Sequence, residues 1–267
     1  MTDALLQRIE AFYDLVPRAS AHTEQLGPFT LFVADYGWPF YARPALGERQ
    51  AVMKDDVLAV LERQLALGIP QAFEWLGDLA PDVTEPVHAA GLSIHRCPLM
   101  VLDGEPPDQK SLPGIDIRAI EPDELELLAA TRAAIGLGFQ AGGVDIGTDP
   151  ESDDEPSDPT TTAGRIRAGH LVQMTAVDQA SGKVLGGGAH VPRAEAGVTE
   201  LVGIGVRPSA RRRGIGLAIA ARLAADARQN GIDTVFLSAD SDAVARIYAR
   251  AGFVRRGTSC IAEPPSA

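Results

Sequence analysis

Residues 199–223 read TELVGIGVRPSARRRGIGLAIAARL, and this stretch decides the fold. Residues 200–206 form an apolar, β-compatible run that Pro208 and Ser209 stop. Gly214, Ile215 and Gly216 then open an alanine-rich stretch that predicts a helix to about Asn230. Unpaired backbone N–H groups and the positive end of the macrodipole suit a helix start to phosphate. Glycines let a diphosphate approach that backbone closely, and Arg207, Arg211, Arg212 and Arg213 add charge on the approach. The reading predicts a docking point for a ligand that carries phosphates.

Two familiar phosphate loops do not fit. A Walker A loop ends Gly-Lys-Ser/Thr, and no such ending is present. A dinucleotide fingerprint needs a third glycine and an acidic residue roughly 20 positions on, whereas only Gly214-Ile215-Gly216 stands here. A basic helix start without a ligand would share the short pattern, so the rest of the chain has to decide.

At 267 residues the chain exceeds one typical domain, and two domains of ordinary size are expected. Apolar residues make up 45% of it, enough for a sizeable core, and no apolar run approaches a membrane span. The N-terminal MTDALLQRIEAFYD carries acids and amphipathic spacing, unlike a secretory signal. Cys97 and Cys260 lack metal-ligand spacing; they suit buried structural roles in a reducing cytoplasm, and no metal is expected. A net charge of −12 argues against nonspecific binding of nucleic acid or anionic membrane and is compatible with a cationic substrate.

Leu5, Ile9, Phe12 and Val16 have helical spacing; Gly27-Pro28 breaks the chain, and residues 29–33 read as a strand. The segment 37–44, with Tyr36 beside it, gathers Trp38, Phe40 and Tyr41, as a substrate mouth or, more commonly, an interface plug would. Asp55 and Asp56 mark the first turn of a helix ending at Gly68. A strand at 72–76, a helix near 84–90 and a strand at 94–102 follow. Residues 103–114 have linker composition, which sets domains at 1–102 and 115–267.

The second half opens with a strand at 115–120 and a helix started by Pro122-Asp123-Glu124. Residues 142–162 are acidic and proline-rich, the composition of a mobile loop, with active-site lids among the things such loops do. Residues 171–178 and 183–191 read as a hairpin whose glycines leave room for close backbone packing or for a ligand. Beyond the 214–230 helix come a buried strand at 234–239, a short amphipathic helix at 242–253 and a last strand at 254–262. The order predicts an α+β fold with one mixed sheet. Residues 63–97 also echo 228–260, Gly68-Ile69 answering Gly231-Ile232 and Gly91-Leu92 answering Gly252-Phe253. This suggests either a degenerate partial copy without a cofactor site or the ordinary likeness of helix–turn–strand units.

Arg211-x-x-Gly214-x-Gly216 after a strand ending Val206-x-Pro208, followed by a helix, a strand and a helix carrying Tyr248 before Gly252-Phe253, resembles the Gcn5-related N-acetyltransferases, the GNAT superfamily. The resemblance covers roughly 115–262. It implies a mostly antiparallel mixed sheet with splayed central strands flanked by helices, here preceded by a smaller α/β lobe. It further implies acetyl-CoA as cosubstrate, with pantetheine pairing to backbone near Ile204, Gly205 and Val206. The diphosphate would sit on the N–H groups of Arg211, Arg212, Arg213, Gly214, Ile215 and Gly216. Ser241 stands where the family often has Asn, which puts a pantetheine contact there in question.

By the same resemblance, Tyr248 would protonate the departing thiolate and the Val206 N–H would hold the oxyanion. Glu200 is the candidate base, acting through water; strict alternation would place it on one face with Val202, Ile204 and Val206 unless a bulge intervenes. Burial beside Leu201 and Val202 would raise its pKa. An exposed strand-end glutamate and a core tyrosine are the plainer readings of Glu200 and Tyr248, and His190 is a weaker alternative base. The activity implied is acetyl transfer to a primary amine, for which the acidic 149–158 run suits a small cationic acceptor. A non-catalytic acyl-CoA-binding or regulatory module is the alternative, with a nucleotide-binding protein third. The halves could pair within one chain or between subunits of a homodimer.

Overall fold

The computed structural model describes residues 2–35, 39–47, 50–107, 111–151 and 158–265. In chain order the elements are α1 (Thr2–Leu15), β1 (Ala21–Leu26), β2 (Phe29–Ala34), β3 (Arg43–Pro44), α2 (Lys54–Leu67), β4 (Phe73–Leu76), α3 (Thr84–Ala89) and β5 (Ser93–Leu102). Then come β6 (Ile115–Ala119), α4 (Leu125–Gln140), α5 (Pro159–Arg167), β7 (Val172–Asp178), β8 (Val184–Arg193) and β9 (Val198–Val206). The chain finishes with α6 (Ile215–Gln229), β10 (Thr234–Ser238), α7 (Asp242–Ala249) and β11 (Phe253–Glu263). The fold is α+β, as the motif order predicts.

The chain forms two compact units. One comprises Met1–Leu99, Ser238–Asp242 and Arg255–Ala267; the other comprises Met100–Leu237 and Ala243–Val254. Sequence composition placed a boundary at 103–114, some of which, residues 108–110, lies outside the described residues. The division falls earlier, at Leu99, and the end of the chain returns to the first unit. The reason is pairing: β11 runs antiparallel to β4, with Cys260 opposite Trp75 and Ala262 opposite Phe73.

In the first unit, β1, β2 and β3 form a small antiparallel sheet, with Leu26 opposite Phe29. Gly27-Pro28 is thus a hairpin turn, Gly27 taking φ +53°. Pattern reading overlooks β1 because AHTEQL is polar and no residue in it is fully buried. Phe29, Leu31, Val57, Val60, Phe73, Trp75, Val83 and Val87 pack into one core. Arg43 reaches Glu74 at 2.5 Å and Glu10 at 3.3 Å, with its guanidinium 4.1 Å from the Tyr13 ring centre. Of the aromatic group at 36–41, Phe40 and Tyr41 are half-buried, whereas Tyr36 and Trp38 lie outside the described residues. Burial, with the Glu74 charge second, pushes the Tyr41 phenol up to about 12. Cys97 and Cys260 are buried free thiols, as composition suggests.

In the second unit, β6, β7, β8 and β9 are antiparallel neighbours and β10 joins β9 in parallel. The sheet is therefore mixed and mostly antiparallel. Helices press onto both faces of β8, which is possible because β8 carries Gly186, Gly187 and Gly188. A Cβ at Gly187 would lie 2.4 Å from the α4 methyl of Thr131, and one at Gly188 would lie 3.1 Å from the α6 side chain of Ile219. The glycines serve close backbone packing. The Thr131 hydroxyl also bonds Thr175 on β7 at 2.8 Å. On α6 the buried face is mostly small, with Ala218, Ala220, Ala221, Ala224 and Ala227, so the helix axis can approach the sheet.

The acidic run 142–162 is more structured than its composition suggests. Its end forms the start of α5, capped by Asp158, which accepts from the Thr160 N–H at 2.9 Å. Its beginning is fastened to the turn after β9, as described below. Residues 152–157 lie outside the described residues.

Candidate active site

The site is built on the end of β9. Gly187 stands opposite Gly205 and Ala189 opposite Val202, so β9 spends two residues, Gly203 and Ile204, against the single Gly188. This is a β-bulge, and Gly203 takes the φ of +60° that such an insertion uses. Opposed residues of an antiparallel pair share a face, and Gly187 and Ala189 share one by alternation. Val202 and Gly205 therefore share a face, with Glu200. Val206 goes to the other face, where its Cγ2 lies 3.6 Å from a Cβ built at Gly216. The sequence expectation that Glu200, Val202, Ile204 and Val206 line one face is corrected by the bulge.

The bulge leaves the strand end open. The β9–β10 register stops at Glu200 opposite Phe236, six residues before β9 ends at Val206. The Arg207 N–H donates to the Leu185 carbonyl at 2.8 Å. Because bonded and non-bonded pairs alternate along an antiparallel ladder, the Val206 N–H faces away from β8, towards that open edge. Val206 is the residue for which the GNAT resemblance implies an oxyanion donor.

After Val206 the chain makes a 3₁₀ turn at Pro208–Ala210 and enters α6 through Gly214, whose φ is +81° and which supplies no side-chain cap. Arg212 is the one positive-φ residue other than glycine among the described residues, at +64°. The backbone N–H groups of residues 212–217 find no acceptor among the described residues; the next donor, Ala218, bonds Gly214. Six such donors at the head of a helix are backbone groups of the kind that suit an anion. Arg212 and Arg213 are exposed, and Arg213 comes only within 3.9 Å of Asp178.

Arg211 points elsewhere. Its guanidinium donates to the carbonyls of Gly138 at 2.7 Å, Gly142 at 2.7 Å, Asp145 at 3.2 Å and Val206 at 3.4 Å. Its side chain therefore staples the C-terminal end of α4 to the end of β9, and Gly138 packs so closely there that a Cβ would lie 2.9 Å from the Val206 nitrogen. Arg207 is likewise engaged, with Val184 and Asp149. Charge counting on the sequence could not separate Arg207 and Arg211, turned inward, from Arg212 and Arg213, turned outward.

Glu200 is half-buried in the sheet between Val191 of β8 and Phe236 of β10. Tyr248 lies on α7, 9% exposed, with its ring edge-on to Phe253 at 6.4 Å. Its phenol makes no hydrogen bond among the described residues, and burial pushes its pKa above the ordinary tyrosine value. His190 is buried on the opposite face from Glu200. Its Nδ1 meets the Thr199 hydroxyl at 3.0 Å and its Nε2 meets Asp226 at 2.9 Å, so both ring nitrogens tie β8, β9 and α6 together. Both ring nitrogens are thus engaged in sheet–helix packing. Ser241 is half-buried at the bend before α7 and is grouped with the other compact unit.

The parallel pair β9 and β10 and the uncapped glycine turn into α6 are laid out as the GNAT resemblance implies. Residues 145–253 match the acetyltransferase (GNAT) family model. The segment 145–253 is therefore a GNAT acetyltransferase domain. A GCN5-related N-acetyltransferase from Kribbella flavida shares the fold at a TM-score of 0.69 and 20% identity, over 98% of this chain and 96% of that one. A GCN5-related N-acetyltransferase from Sphaerobacter thermophilus superposes with a TM-score of 0.55 at 22% identity, covering 75% of this chain and 62% of its own. A GNAT-family protein from Novosphingobium aromaticivorans gives 0.54 at 16% identity, over 91% and 92%. No curated protein sequence matches the chain.

Proposed function

We propose that this acetyltransferase moves an acetyl group from acetyl-CoA to a primary amine, the acceptor being a small cationic molecule. The observation that carries the cosubstrate is the row of six acceptor-free N–H groups at residues 212–217, placed directly after the open end of β9. The N–H groups of Arg212, Arg213, Gly214, Ile215 and Gly216 suit a diphosphate, with the Arg212 and Arg213 side chains adding charge. The open edge at Ile204, Gly205 and Val206 suits the amides of a pantetheine arm. Acetyl-CoA supplies the activated acyl carbon, and every other part of the chemistry falls to side chains and backbone of this chain.

An ammonium has no lone pair, so the acceptor must first lose a proton, which Glu200 takes through water. As the N–C bond forms, the Val206 N–H, fixed by the bulge, stabilises charge on the acyl oxygen. As the C–S bond breaks, the sulfur leaves as a thiolate, and Tyr248 donates to it. A phenol is protonated at neutral pH, the form the step requires, and burial raises its pKa further.

For the acceptor, the chain's charge of −12 favours cations. Of the acids at 149–158, Asp149 and Asp158 are committed to structural bonds, whereas Glu151 is exposed. A thiol-release assay with acetyl-CoA over cationic, neutral and anionic amines tests the reading. Turnover confined to cationic amines supports it. Acceptance of anionic or neutral amines alone would remove the cationic class and leave amine acetylation standing.

A further inference from the structure

The segment that leaves α4 is fastened to the turn after β9 by side chains that the chemistry above does not use. Asp149 Oδ1 accepts from the Ser209 N–H at 3.0 Å, while Oδ2 takes Lys183 Nζ at 3.2 Å and Arg207 Nη1 at 3.4 Å. One residue pair away, the Gly147 N–H donates to the Pro208 carbonyl at 3.2 Å. Arg211 adds the carbonyls of Gly142 and Asp145. Residues 142–149 have no helix or strand of their own, so these bonds are what define their path. The carboxylate is mostly buried, at 19% exposure, between two cations and a backbone donor. Ile146, 67% exposed, is held out between two anchored neighbours, Asp145 and Gly147.

We propose that Asp149 is a positioning residue that couples the phosphate turn to the segment between α4 and α5. This rests on the acetyl-CoA reading of residues 212–217. Ser209 lies three residues before that run of donors, so a diphosphate that fixes the turn also fixes the Ser209 N–H and, through it, Asp149. The segment then carries cofactor occupancy from the turn towards α5. By linkage, loosening the segment weakens cofactor binding by the same factor. Lys183 and Arg207 neutralise Asp149, which keeps its charge from repelling the phosphates close by.

Hydrogen–deuterium exchange with acetyl-CoA as the probe tests the coupling. In the wild type, acetyl-CoA slows exchange in peptides covering 207–217 and in those covering 142–151, each about fivefold or more. In Asp149→Asn and Asp149→Ala the turn still responds but 142–151 no longer does, and the Kd for acetyl-CoA rises about fivefold. Lys183→Met, altering a half-exposed side chain, gives the same loss in weaker form and serves if the Asp149 variants do not fold. Undiminished protection of 142–151 in these variants, or protection of the turn alone in the wild type, overturns the coupling and leaves the cofactor reading intact. No protection anywhere in the wild type overturns both.

Discussion

Tyr248 and Glu200 have different proposed roles, and their expected signatures differ. The Tyr248 phenol is protonated at neutral pH, so Tyr248→Phe should lower kcat roughly 10²-fold with the acetyl-CoA Kd unchanged. Its pH profile should keep the wild-type shape, because the tyrosine does not titrate in the working range. Glu200→Gln should lower kcat/KM by a similar factor; stopped-flow rates check both. Arg211 separates binding from stability. Arg211→Ala removes four carbonyl contacts, and should cost about 2–3 kcal/mol, read as a lower denaturation midpoint. Arg212→Ala, which removes an exposed side chain, should leave that midpoint nearly unchanged. Asp149 predicts an acid dependence. Burial alone would raise its pKa, but the Ser209 N–H and hydroxyl and the Lys183 ammonium outweigh it and hold the carboxyl at about 2. A depressed carboxylate stabilises the fold above its ordinary value of about 3.9 and loses that contribution as pH falls through its folded value. The stability difference between wild type and Asp149→Asn should therefore be full at pH 7 and vanish between about pH 4 and 2.

The elements explain what could be read from sequence and what could not. β9, α6, β10 and α7 were legible because each announces itself locally: an apolar run, a glycine pair, an alanine-rich face, Gly252 after Tyr248. The echo between 63–97 and 228–260 also has a local cause. Ile69 bonds Gln64, Leu92 bonds Val87 and Ile232 bonds Ala227, each five residues back across a positive-φ glycine. Helix ends of one Schellman type account for the Gly68-Ile69 and Gly231-Ile232 match without requiring a shared origin. The bulge was not legible, since Gly203 and Gly205 look alike in sequence and only pairing with β8 tells them apart. Gly203 supplies a backbone angle, whereas Gly205 supplies room: a Cβ there would lie 2.9 Å from the Ile135 carbonyl of α4. Gly205→Ala should cost about 1–3 kcal/mol by overpacking and displace α4 from the strand end, lowering thermal stability and activity together. Full stability in that variant would contradict the close packing assigned to this face.

At the scale of the molecule, sequence composition suggested two consecutive domains, but the chain closes its first unit with its last strand. Nothing local in VRRGTSCIA says that Ser259 and Cys260 pair with Leu76 and Trp75; a contact across so many residues leaves no mark in composition. The fold that results recurs over 98% of this chain in the Kribbella flavida protein, so the N-terminal lobe is part of the shared architecture. Among the described residues no helix is long and apolar enough to cross a membrane. The proposal places acetyl-CoA on the open end of β9 and the N–H row of residues 212–217. Calorimetric titration of acetyl-CoA into the wild type and an Arg212→Ala/Arg213→Ala variant tests it most directly. Saturable one-to-one binding is expected, weakened about tenfold or more in the variant by loss of charge-assisted contacts to phosphate, at an unchanged denaturation midpoint. No binding to the wild type, or equal binding to both proteins, would contradict it.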